Sequence, residues 1–139
     1  MRKLALIESL QVGHAQIDLE HEELIDRANA LIDAVAADDL DGFLKLIPMF
    51  FDKVSEHFTN EIQILRELGF PNVVKHADFH REALNELADL RCQFEAGGPL
   101  LSAEMIHRKT TDLLVHDIVR EDLEFKSFIQ GLRSQGKLL

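Results

Sequence analysis

A single cysteine, Cys92, stands among 139 residues. One thiol cannot close an intramolecular disulfide, and it excludes any site built on several thiolates, including a four-cysteine iron–sulfur cluster. Any bound metal must therefore be held by nitrogen and oxygen. Positive charge is also scarce: 15 Lys and Arg against 25 Asp and Glu leave a formal charge of −10. Nucleic acid is bound by clustered cations that displace counterions, so this balance argues against DNA or RNA as a partner. No apolar stretch approaches the roughly 20 residues that span a bilayer. The opening MRKLALIESLQVGHAQID has neither a long apolar run nor a small-residue cleavage site. A soluble, cytoplasmic protein with no membrane contact is expected. Trp and Tyr are absent, and the nine Phe mostly fall on helical stripes, where aromatic side chains are more often core than a cofactor box.

Apolar residues make up 46% and charged residues 29%, an ordinary globular balance. A chain of 139 residues suits one domain, 1–139. The apolar pattern repeats every three or four residues almost throughout, with little sustained alternation, which predicts an all-α protein. A first helix is expected over about 17–37, with Ile17, His21, Leu24, Ile25, Ala28, Leu31, Ile32 and Val35 on one face. It ends at Asp38-Asp39. A second, about 41–68, carries Phe43, Ile47, Phe50, Phe51, Val54, His57, Phe58, Glu61, Ile62 and Leu65, and stops at Gly69 and Pro71. Pro48 lies inside this pattern and either kinks the helix or marks a later start. A third, about 72–95, shows His76, His80, Ala83, Leu84, Leu87, Leu90 and Phe94 before Gly97-Gly98-Pro99. Ser102 then caps a fourth, about 103–131. Short connections between such helices favour an antiparallel up-down-up-down four-helix bundle.

His21, His57, Glu61, His76 and His80 break these otherwise apolar stripes. A buried charge without compensation costs several kcal/mol, so something must pair with them. One buried histidine is most simply a hydrogen-bonded core residue, and one HxxxH pair arises easily by chance. Here all five lie mid-helix and face inward on three successive helices. Residues four apart stand above one another on a helix, so His57/Glu61 and His76/His80 each aim two ligand atoms at one point. That pattern points to metal.

The residues resemble the hemerythrin family, in particular its single-domain bacterial members, over nearly the whole chain. Ile17-Asp18-Leu19-Glu20-His21 matches I-D-x-x-H, His57-Phe58-Thr59-Asn60-Glu61 matches H-F-x-x-E, and His76-Ala77-Asp78-Phe79-His80 matches H-x-x-x-H. Leu68-Gly69-Phe70-Pro71 is similar to the short G-Y/F-P turn before the third helix. The resemblance implies a four-helix bundle holding two iron ions, bridged by a glutamate, an aspartate and an oxo or hydroxo group. By that resemblance Glu61 bridges, His76 and His80 sit on one iron, and His21 and His57 on the other, where dioxygen would bind.

The last helix departs from the family pattern H-I-x-x-x-D-x-x-Y/F, reading Val115-His116-Asp117-Ile118-Val119-Arg120-Glu121-Asp122-Leu123-Glu124-Phe125. Matching Ile118, Asp122 and Phe125 makes Asp122 the bridging carboxylate and puts Asp117 where a third histidine belongs. Matching His116 instead makes Glu121 the bridge. Taking Ile106, Leu113, Leu114, Ile118, Phe125, Phe128 and Ile129 as the inner face, at about 100° per residue, Asp117 lies roughly 50° from its centre, Asp122 roughly 90° on the other side and His116 roughly 150° away. The first alignment is preferred, with Glu121, near the centre of the face, kept as a ligand or hydrogen-bond acceptor. Asp117 then either replaces an imidazole by an anionic oxygen or leaves that iron one ligand short. Both change the redox chemistry.

Asp18 can orient an imidazole or simply favour the helix dipole. His14 and His107 match no family position and read as surface residues. Phe58 and Phe79 flank expected ligands and help keep the site dry. Cys92 reads as a buried or half-buried helix residue without a redox role. The resulting function is binding of dioxygen or a related small ligand for storage, delivery or sensing. The alternatives are a di-iron enzyme or redox sensor acting on oxygen, peroxide or nitric oxide, a module reporting to an unidentified signalling or redox partner, and two separate structural zinc sites.

Overall fold

The structure, a computed structural model, describes residues 11–95, 103–116 and 122–137, without the side chains of residues 93–95, 103, 104, 106 and 122. Among the described residues it is all-helical: α1 (Ala15–Ala36), α2 (Leu40–Leu68), α3 (Val73–Glu95), α4 (Ala103–Val115) and α5 (Asp122–Ser134). The expected fourth helix is represented by α4 and α5. Residues 117–121 between them, including Asp117 and Glu121, lie outside the described residues.

Local chemistry sets the helix ends. α1 starts slightly earlier than the apolar stripe predicts, because His14 caps it through Nδ1, which accepts the Ile17 N–H at 3.4 Å. Asp39 caps α2 by accepting the Gly42 N–H at 3.0 Å. α2 then runs unbroken through Pro48, so a later start is excluded. The one helical bond that Pro48 forgoes is its own N–H to the Leu44 carbonyl, and Leu44 is 40% exposed, where water can reach. α2 ends at Gly69 with φ 75°, and the Gly69 and Phe70 N–H groups return to the carbonyls of Arg66 and Leu65 at 3.1 and 3.0 Å.

Two apolar clusters form the core. The larger joins Leu24, Ala28, Leu31 and Ala34 of α1, Phe43, Ile47, Phe50, Phe51, Val54 and Phe58 of α2, Ala83, Leu87 and Leu90 of α3, and Leu114 of α4. The smaller joins Val12, Ile17, Ile64, Leu65, Phe70, Phe125 and Ile129. On α1, His21 falls between Ile17 of one cluster and Leu24 of the other. On α2, Glu61 falls between Phe58 and Ile64 in the same way, and His76 and His80 follow Phe70 and precede Ala83. A polar layer is thereby enclosed between two dry ones.

Two positions differ from expectation. Cys92 is exposed; the buried row of α3 runs His76, His80, Ala83, Leu87 and Leu90, and two residues past Leu90 the helix has turned to its other side. His107 is buried rather than on the surface, at 8% exposure. It shares the inner face of α4 with Thr110 and Leu114, and its Nε2 lies 3.3 Å from Thr111 Oγ1. No helix among the described residues is long and apolar enough to cross a membrane.

Candidate metal centre

The five inward polar residues meet. Glu61 and the four imidazoles are all buried, with exposures of 0% for His21, His57 and Glu61 and 2% for His76 and His80. Glu61 Oε2 lies 3.3 Å from His21 Nε2 and 2.9 Å from His57 Nε2. Its Oε1 lies 2.6 Å from His76 Nε2 and 3.1 Å from His80 Nε2. Each carboxylate oxygen thus serves one pair of rings. The ligand atoms of His21, His57 and Glu61 lie within 4.8 Å of one another, as do those of Glu61, His76 and His80.

Elements and neighbours hold the rings in place. His21 and His57 meet edge to face at 4.7 Å, and His76 and His80 at 4.5 Å. Phe58 stacks on His80 at 4.0 Å with an interplanar angle of 5°. Phe125 of α5 stands edge-on to His76 at 5.5 Å. Phe79 is 5.8 Å from His80 and tilted, and stacks on His116 at 4.6 Å. His116 is half-buried there and joins neither ligand group, in keeping with its outward position on the sequence. The Asp122 side chain is outside the described residues, as are Asp117 and Glu121.

The carboxylate behind His57 was not foreseen. Glu20 Oε1 accepts the His57 Nδ1–H at 2.7 Å, while Asn60 and Gln16 donate to Glu20 Oε2 at 3.1 and 3.0 Å. Asp18 orients no imidazole; it accepts the backbone N–H groups of Val12 and Gly13 at 2.8 and 3.1 Å, tying the chain before α1 to its first turn. The signal for Glu20 was present, since Ile17, Glu20, His21 and Leu24 follow the three-and-four spacing of one buried face.

Burial raises the Glu61 carboxyl, but hydrogen bonds from His21, His57, His76 and His80 outweigh it and hold it well below the usual carboxylate range. Burial pushes His57 down, yet Glu20 and Glu61 push it up to about 10. Burial raises Glu20 too, and its bonds to His57, Gln16 and Asn60 bring it below its ordinary value. The geometry explains the sign. With Nδ1–H given to Glu20, the His57 Nε2 lone pair would face Glu61 Oε2 at 2.9 Å, and two lone pairs so close need a proton or a metal ion between them. Nitrogen and carboxylate donors without thiolate, with one carboxylate common to both groups, could hold a first-row metal ion such as iron.

The pattern of the hemerythrin HHE cation binding domain matches residues 12–129. The chain belongs to the hemerythrin family. It is 27% identical over 97 residues to a bacteriohemerythrin of Stenotrophomonas maltophilia. It is 24% identical over 97 residues to bacteriohemerythrins of Pseudomonas paraeruginosa and Pseudomonas aeruginosa. These matches cover 70% of this chain and 63% of each relative's length. Hemerythrin membership accounts for the buried histidines and glutamate that composition alone leaves unexplained, and for a helical chain that encloses them.

Proposed function

We propose that this hemerythrin-family chain is a non-haem di-iron protein that binds dioxygen for storage, delivery or sensing. The observation that carries the reading is the division of Glu61, with one oxygen toward His21 and His57 and the other toward His76 and His80. In this reading Glu61 bridges the two metal positions, and Asp117 and Asp122 complete them from the last helical segment. Asp122 opens α5, the helix whose Phe125 stands against His76. α4 and α5 would then act together as the fourth helix of an antiparallel bundle. A pair of irons supplies reversible two-electron chemistry toward dioxygen. The chain's own part is to fix four imidazoles by their rings and to exclude water with Phe58, Phe70 and Phe125, each at most 6% exposed. Because the two ligand groups share Glu61, two separate zinc sites are disfavoured; tetrahedral closure around zinc needs no shared carboxylate.

The test is anaerobic loading with ferrous iron, metal analysis, and visible absorption while oxygen is added and removed. Two irons per chain and a band that comes and goes with oxygen are expected; zinc, or a single iron, overturns the reading. Asp117, standing where the family carries a third histidine, favours a second reading, an oxygen-, peroxide- or nitric-oxide-reactive enzyme or redox sensor with a separate partner. There the band bleaches irreversibly, and Asp117→His slows the bleaching.

A further inference from the structure

We propose that Glu20 is a positioning residue for one metal position of this centre, acting through His57: its carboxylate fixes the tautomer and plane of that ring and strengthens Nε2 as a donor. The inference rests on the di-iron reading. A bond of 2.7 Å from His57 Nδ1 to Glu20 Oε1 lies in the range of charge-assisted hydrogen bonds. With the proton held at Nδ1, Nε2 presents its lone pair to the centre, and a carboxylate behind an imidazole raises its basicity toward a metal. Glu20 is itself clamped. Gln16, one turn earlier on α1, and Asn60, on α2 beside His57, both donate to its second oxygen, at 3.0 and 3.1 Å. Three donors therefore converge on one carboxylate across the α1–α2 interface, at 9% exposure. Of the four imidazoles Glu20 bonds only His57, so its influence falls on the position shared by His21 and His57.

Glu20→Gln keeps the size and removes the charge. One amide oxygen must then serve three donors, and its NH2 opposes the amides of Asn60 and Gln16. The test titrates the metal-free protein with Co2+, reading ligand-field absorption, and records the proton spectrum of exchangeable imidazole N–H groups in the cobalt form. Wild-type protein is expected to bind two equivalents. In Glu20→Gln one equivalent weakens by roughly 10- to 100-fold, the other stays unchanged, and one shifted imidazole N–H moves. Asn60→Ala, which loosens the clamp and keeps the carboxylate, weakens the same equivalent less. Equal weakening of both equivalents together with a lower melting temperature of the metal-free protein would mean a structural role only and overturns the proposal, as does unchanged binding. If Glu20→Gln does not fold, unchanged cobalt binding by Asn60→Ala overturns it. Fewer than two equivalents in the wild type defeats the di-iron reading itself, and the role of Glu20 with it.

Discussion

Each oxygen of Glu61 meets two imidazole nitrogens, so the residue is at once the anion that the rings share and the link between two ligand groups. Glu61→Gln retains the shape and withdraws the charge. Iron per chain is then expected to fall to one or none by metal analysis, and a variant that still takes up two overturns the bridging role. The identity of the five clustered residues was legible because each is a polar break in an apolar stripe. Glu20 also falls on a buried stripe, but it sits beside a histidine in an acidic helix start, where a carboxylate is ordinary, and its partner from α2 is what reveals its role. Asp18 was the more conspicuous candidate by spacing, yet its oxygens are taken up by the backbone N–H groups of Val12 and Gly13.

At the level of the helices, α1 ends just before Asp38-Asp39 and α2 at Gly69 as the sequence predicts, while Gly97-Gly98-Pro99 and Ser102 lie outside the described residues. Gly69 ends α2 at φ 75°, and a Cβ there would meet nothing within 4 Å. Gly69→Ala therefore isolates backbone strain from crowding, and a loss of about 1 kcal/mol is expected in urea denaturation. No loss would mean that the turn relaxes. Pro48, half-buried inside α2, is tolerated because the helix is long, capped by Asp39 and anchored by the phenylalanines on either side. Pro48→Ala restores one helical N–H and is expected to stabilise the protein by up to about 3 kcal/mol; a destabilised variant would show that the ring contributes more by contact than it costs the backbone. The inner face of α4 differs from expectation at His107 because histidine and threonine, not only leucine, fill it.

Across the molecule, the polar layer lies between two apolar clusters and ties the folded state to whatever occupies it. A ligand that binds only the folded chain adds RT ln(1 + [L]/Kd), about 2.7 kcal/mol at a hundredfold excess over Kd. Iron is thus expected to raise the melting temperature and a chelator to lower it again, measured by circular dichroism; insensitivity to both would separate the buried histidines from metal. Helical period, turn residues and the order of histidines along the chain are properties of neighbouring residues, so the sequence by itself determined that the protein is helical and that His21, His57, Glu61, His76 and His80 face inward. Which ring meets which oxygen of Glu61, and that Glu20 rather than Asp18 stands behind His57, depended on the rotation and offset of one helix against another. Those are set by the interlocking of side chains distant in sequence, and only the tertiary structure decided them.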